Sequence, residues 1–285
     1  MSKQHASPSV QPEHSRGNIW MRQTKAFTIR YVRELFRSKA ALFWTMIFPA
    51  GFYLITITMT IPDEAMGAGE GGVKAVIAVS FGMFGAIIAA LNSFCEQLGT
   101  DLEADRYHQF RSLSIAPSSD LTGRLLAGVT LSVTAFLAVL PVAVLTGAEF
   151  SLASPLSPAV VVLAIVTFAI FWMVVAIAVT VSVRNERYAS IITVSLALVA
   201  YMMTGYNGTD VSVYHGPDWL LNGMPHTLAT RLIADQTIAG SAGLTPPTVP
   251  TVLSGLGLLI VYSVGALAIG IVLTRRVLYK REVVA

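Results

Sequence analysis

The stretch TDLEADRYHQFRSLSIAPSSD, residues 100–120, is unusually polar for a chain that is only 12% charged and 54% hydrophobic. It holds Asp101, Glu103, Asp105, Arg106, Arg111 and Asp120 together with His108. Carboxylates near a histidine can do acid–base work or ligate a metal, but both need particular spacings. There is no HExxH, which would set two imidazoles on one helix face, and no GxSxG nucleophile turn. Nor is there a GxxxxGK[ST] loop, whose backbone amides and lysine would cradle nucleotide phosphates. His215 and His226 stand far from His108, and the single Cys95 offers neither an intrachain disulfide nor ligand spacing. No catalytic residue, metal ligand set or cofactor site is therefore assigned.

The same stretch does carry the marks of a contact surface. Thr100 is placed to cap a helix with Glu103 completing a capping box, and Asp101, Glu103 and Asp105 suit the positive end of the helix dipole. Leu102, Arg106, Phe110 and Leu113 recur at helical spacing, and Pro117 closes the segment. Apolar groups around a guanidinium suit a groove on a partner protein. The other reading of these residues is a solvated loop helix whose surface ion pairs each contribute little.

The elements around it are set by hydropathy. Mean hydropathy is +0.66 over 285 residues, and the apolar residues come in long runs, as a bilayer core of about 30 Å requires of helices rising about 1.5 Å per residue. Six runs qualify: 40–61, 73–94, 125–146, 160–183, 188–206 and 252–274, the fifth being the weakest. They are apolar on every face, which excludes the alternating strands of a barrel. The expectation is an all-α polytopic membrane protein with six transmembrane helices. Domain limits follow: a disordered tail 1–18, an interfacial helix 19–39, a transmembrane domain 40–274 with a cytoplasmic loop 95–124 and an external loop 207–250, and a tail 275–285. Residues 1–17 lack the apolar core of a cleavable signal peptide.

Charge sets the orientation. Basic residues crowd the start (Lys3, Arg16, Arg22, Lys25, Arg30, Arg33, Arg37, Lys39), the second loop (Arg106, Arg111, Arg124), the fourth loop (Arg184, Arg187) and the tail (Arg275, Arg276, Lys280, Arg281). Only Lys74 and Arg231 fall on the other side, where Asp63, Glu64 and Glu70 also lie. The positive-inside rule then puts both termini in the cytoplasm of a multi-pass cell-membrane protein, and omitting the fifth span would strand the tail's cations outside. The pI near 9.1 is explained by this topology and by anionic lipids, so nucleic acid is not expected as a partner.

Residues 18–40, NIWMRQTKAFTIRYVRELFRSKA, wind into an amphipathic helix. Arg22, Arg30, Arg33 and Arg37 share one side while Trp20, Phe27, Tyr31 and Leu35 share the other, which predicts an amphipathic helix lying along the cytoplasmic membrane surface, as a topogenic anchor or as a docking surface for a cytoplasmic partner. The spans themselves carry no charged or titratable group in their interiors. A self-sufficient ion-coupled carrier is disfavoured on that ground, so energy for transport would come from another subunit. Asn207-Gly208-Thr209 is a glycosylation sequon on the external side.

With that setting, the polar stretch resembles the coupling segment of the ABC transporter type-2 permease family, the membrane subunits of exporters. EADRYHQFRSLSIAPSSDLTGRLLAG is similar to the family's loop through Glu103, Arg106, Phe110, Arg111, Leu113, Pro117, Ser118 and Gly128, and departs where Tyr107 and His108 stand for the usual Gly-Thr. The interfacial helix and IFPAGFYL of the first span also resemble the family. YMMTGYNGTDVSVYHGPDWLLNGMPHTLATRLIAD, with Gly205, Trp219, Leu220, Pro225 and Leu228, is similar to its external re-entrant hairpin. The resemblance implies a permease subunit without its own ATPase site, working as a homodimer or pseudo-dimer with separate cytoplasmic ABC ATPase subunits. A non-transport assembly or sensory subunit, binding a partner through the same loop, is the alternative.

Overall fold

The computed structural model describes residues 16–60, 69–113, 115–183, 185–203, 217–240 and 249–279. Most of the expected disordered tail, the Asn207 sequon, Arg184, Lys280 and the side chain of Arg111 lie outside what is described. Among the described residues there are ten helices and no strand. They are α1 Arg16–Arg37, α2 Lys39–Met59, α3 Glu70–Glu103, α4 Arg106–Ser112, α5 Pro117–Leu145, α6 Ser157–Val183, α7 Glu186–Met202, α8 Asp218–Gly223, α9 Pro225–Thr237 and α10 Val252–Leu278.

Five of these, α2, α3, α5, α6 and α10, are long and apolar enough to cross a membrane, and the chain is an all-α, multi-pass membrane protein. Helices satisfy their own backbone groups, which lipid cannot do. The weak fifth run forms α7, whose 17 residues reach about 25 Å at 1.5 Å per residue, short of a hydrocarbon core of about 30 Å.

Helix α3 is the axis of the bundle. Of its most apolar window 89% is buried, against 22% for α10, and it packs on α2, α5, α6, α7 and α9. Helices α2 and α3 touch where Pro49 interrupts the ladder. Proline has no N–H to give the Thr45 carbonyl, residues Phe43–Ile47 widen into a π turn, and Gly85 lies against that carbonyl. A Cβ at Gly85 would come within 2.5 Å of the Thr45 oxygen. Gly123 does the same for the α1–α5 crossing, where a Cβ would lie 2.5 Å from Cβ of Phe27.

The two ends of the bundle differ. One carries α1, α4, the start of α5 and the end of α10. The other carries the start of α3, where Glu149 N–H donates to the Gly71 carbonyl at 2.9 Å, and the Tyr53–Thr146 hydroxyl pair at 2.8 Å.

The segment after α7 folds back into the bundle. Helices α8 and α9 meet at Gly223–Met224, and the Tyr262 hydroxyl, halfway along α10, donates to the Gly223 carbonyl at 2.6 Å. At its far end α9 is tied to the loop before α6: Ser151 N–H donates to the Thr237 carbonyl at 2.8 Å, and Ser157 Oγ donates to Gln236 Oε1 at 3.0 Å. Thus α9 runs from mid-depth to the end opposite α4, packed on α3, α6 and α10.

Candidate functional site

No helix begins at Thr100. Helix α3 continues past its apolar part to Glu103, and the Thr100 hydroxyl donates back to the Glu96 carbonyl at 2.9 Å inside it. An uninterrupted apolar-to-polar helix keeps its hydrogen bonds, so a cap there has nothing to satisfy. The chain turns at Ala104–Asp105, where Asp105 has φ 49°, a left-handed conformation that aspartate tolerates better than most residues. Asp105 thus makes the tight turn, and Tyr107 has no need of glycine's freedom. The seven-residue α4 follows, and Pro117 opens α5 in the first turn, where its missing N–H costs nothing.

This geometry builds a buried polar hub. Asp101 and Arg124 are 0% and 2% exposed, and Arg124 Nη2 donates to Asp101 Oδ2 at 2.6 Å and to the Tyr31 hydroxyl at 2.6 Å. Tyr31 donates to Asp120 Oδ1 at 2.5 Å, and the Tyr279 hydroxyl donates to Asp120 Oδ2 at 3.2 Å. Arg124 also reaches the Tyr107 hydroxyl at 3.3 Å and lies 4.1 Å from the Tyr31 ring centre. From the rim, Arg30 Nη2 donates to Asp101 Oδ1 at 3.1 Å, and Arg106 forms a close ion pair with the same carboxylate. Five helices, α1, α3, α4, α5 and α10 with its following Tyr279, meet here. The desolvation of two carboxylates and a guanidinium is offset by mutual pairing and hydrogen bonds, the condition under which buried charges persist. Burial pushes the Tyr31, Tyr107 and Tyr279 phenols well above their ordinary value, which keeps all three as neutral donors.

The residues singled out from sequence divide into two groups. Phe110 is 7% exposed and turns inward, edge-on to Phe27 at 5.4 Å and to Tyr107 at 5.6 Å. The face expected to unite Leu102, Arg106, Phe110 and Leu113 is split, because the turn at Asp105 breaks the helical register between Leu102 and Phe110. Leu102, Glu103, His108, Gln109 and Leu113 point outward, Leu113 at 68% exposure, while Arg106 and Pro117 are half-buried.

Helix α1 is amphipathic, but its aromatic side is not toward lipid. Phe27, Tyr31 and Leu35 are buried, Phe27 against Gly123 of α5, and Trp20 donates to Ser118 Oγ at 3.1 Å. Protein packing takes that face because α5 presents Gly123, which lets the two backbones close. Arg22, Arg33 and Arg37 are exposed, whereas Arg30 is drawn to Asp101 and Glu34. A second apolar strip holds Met21, Ile29, Val32 and Phe36; Met21 and Ile29 are exposed, while Val32 and Phe36 pack against the core.

In the hairpin, Pro225 opens α9 and Leu228 is fully buried, with its side chain beside Gly255 of α10. Leu220 is half-buried and Trp219 is 72% exposed. Arg231 and His226 are both buried in α9. Charged and titratable groups therefore do lie buried in the bundle, Arg231 and His226 on the hairpin and Asp101, Asp120 and Arg124 at the hub ends of α3 and α5.

Sequence reasoning placed Asp101 at a helix start and Arg124 among the topogenic cations, and it gave Asp120 and Tyr279 no role. One signal was available: Asp120 and Arg124 stand at i, i+4 just after Pro117, a pair on one face at the start of an apolar helix. Among the described residues no group of three or more His, Cys, Asp and Glu is placed to hold a metal ion. In comparisons with protein-family models and with curated proteins, no family model and no curated protein matches this chain.

Proposed function

We propose that the chain is the membrane permease subunit of an ATP-driven exporter of the ABC type-2 kind, with α4 as the segment on which a separate cytoplasmic ATPase acts. The observation that supports this most is the attachment of α4. A seven-residue helix has almost no stability of its own, yet Tyr107, Phe110 and Arg106 fasten it to α1, α3, α5 and the end of α10 at one hub. A push on its outer face, His108 and Gln109 with Leu113 just past its end, is delivered to the ends of three membrane helices at once. Two-state rearrangements of packed helices need such a rigid point of application.

In this reading α7 is the sixth span, the end with the hub is cytoplasmic because the basic residues crowd there, and two permease subunits, identical or related, enclose the path. The chain carries no phosphate-binding loop, so the partner supplies hydrolysis. Purification of the tagged chain from its own membranes in mild detergent should bring down a nucleotide-hydrolysing subunit. Recovery of the chain with a partner lacking ATPase activity, or with none, would overturn the proposal.

A further inference from the structure

A small cavity lies against the hub, between Leu98 of α3, Tyr107 of α4, Asp120 and Arg124 of α5, and Thr274 and Leu278 of α10. Its volume is about 10 Å³, about what one water molecule requires. Two of the groups lining it have unspent hydrogen-bonding atoms. Arg124 uses Nη2 for all its bonds and leaves Nε and Nη1 without partners, and the Thr274 hydroxyl also has none. Both residues are 2% exposed, so bulk water does not supply the missing bonds. A buried donor or acceptor left unsatisfied is destabilising until water or another group completes its bonds.

We propose that this cavity is a binding site for one ordered water, which joins Arg124 to Thr274 and ties the end of the last helix to the hub. The donor and acceptor count suits water. Its oxygen accepts an N–H of Arg124, and its two hydrogens go to the Thr274 hydroxyl and to the Asp120 carboxylate, which has acceptor capacity beyond its bonds from Tyr31 and Tyr279. An anion in this place would need more room and would face Asp120. A cation would face the guanidinium. The backbone prepares the site: residues Thr274–Leu278 form a π turn closed by Tyr279 N–H donating to the Thr274 carbonyl at 3.0 Å. That extra residue per turn lets Thr274 face the cavity while Tyr279 reaches Asp120.

This inference does not depend on any transport role. The test is a structure of the full chain in lipid at a resolution that shows ordered water, together with thermal unfolding of Thr274→Val and Thr274→Ser. A density peak at hydrogen-bond distance, about 2.7–3.2 Å, from both Arg124 and Thr274 is expected. Valine, which keeps the shape and loses the hydroxyl, should lower the unfolding midpoint by a few degrees, and serine should restore it. An empty cavity overturns the proposal, as does a Thr274 hydroxyl turned back to the Gly270 carbonyl or bonded directly to Arg124. A valine variant as stable as the parent overturns it as well.

Discussion

Phe110 and Leu113 are three residues apart on one short helix and have opposite roles. Phe110 fills the space between Phe27 and Tyr107, so Phe110→Ala leaves a cavity at the joint of α1 and α4. Truncations of this kind cost about 3–5 kcal/mol, and thermal unfolding in detergent should show the loss directly. Leu113 touches nothing that such a measurement would register. Leu113→Asp should leave the unfolding midpoint near that of the parent while reducing recovery of the partner subunit in a pull-down. Equal stability losses from both variants would mean that Leu113 is packed and the outer face of α4 is misassigned. The hub tyrosines give a second residue-scale expectation. Their folded values lie above the ordinary phenol value of 10.0, so the folded state holds their protons more tightly than the unfolded state. Their contribution is fully present below pH 10 and is lost as pH rises above it, by about 1.4 kcal/mol per pH unit for each phenol. Tyr107→Phe gives up the 3.3 Å bond from Arg124, the hydroxyl's hydrogen bond with Asp120 and one titrating group. Unfolding midpoints followed from neutral to about pH 11 should therefore fall less steeply in Tyr107→Phe than in the parent. Parallel slopes would show that Tyr107 is not protected from ionisation.

At the scale of elements, α1 shows what periodicity reveals and what it leaves open. The 100° winding correctly gave a helix with segregated basic and aromatic sides. It did not say what the aromatic side meets, because lipid and a packed helix are equally apolar. Gly123, the seventh residue of α5 and far along the chain, decides the matter by admitting the backbone of α1. The apolar groups left exposed on α1 include Met21 and Ile29, beside the exposed Arg22 and Arg33. A fluorophore attached at Ile29→Cys should be quenched by a lipid-borne quencher, and one at Lys39→Cys, at the exposed start of α2, should be quenched less. Equal quenching at the two sites would place α1 away from the bilayer. The polar stretch 100–120 was legible in the same partial way. Its polarity and its Pro117 boundary were plain, but the capping box at Thr100 was overridden because α3 had no reason to end there. The hairpin was visible as a segment too apolar for a linker and too broken to span. Its depth depends on Tyr262 and on side chains of α6, which only the packed bundle brings together.

For the whole molecule, the open question is which end faces the cytoplasm, and the fold offers clean positions to ask it. The native Cys95 is buried, so it should not react with a membrane-impermeant thiol reagent and need not be removed. Gly69 has a φ of −114° and no atom within 4 Å of where a Cβ would stand, so Gly69→Cys should be tolerated at the start of α3. Gly240 is less suitable, since its φ of 72° would strain any side chain. Its neighbour Ala239 is exposed on the same loop. Ser112, exposed at the end of α4, reports the other end. Helix α7 is the critical element: Gly69 and Ala239 line one cavity at the same end of the bundle, an arrangement that needs an even number of crossings between them and so requires α7 to cross. If α7 crosses despite its 17 residues, Gly69→Cys and Ala239→Cys label in intact cells and Ser112→Cys labels only after permeabilisation. Labelling of Gly69→Cys without Ala239→Cys would overturn the packing of α9 at the Gly69 end and, with α7 then not crossing, would put the tail with Arg275 and Arg276 outside, against the distribution of every other basic cluster. Labelling of Ser112→Cys in intact cells would invert the bundle and place the hub beyond the reach of any cytoplasmic ATPase.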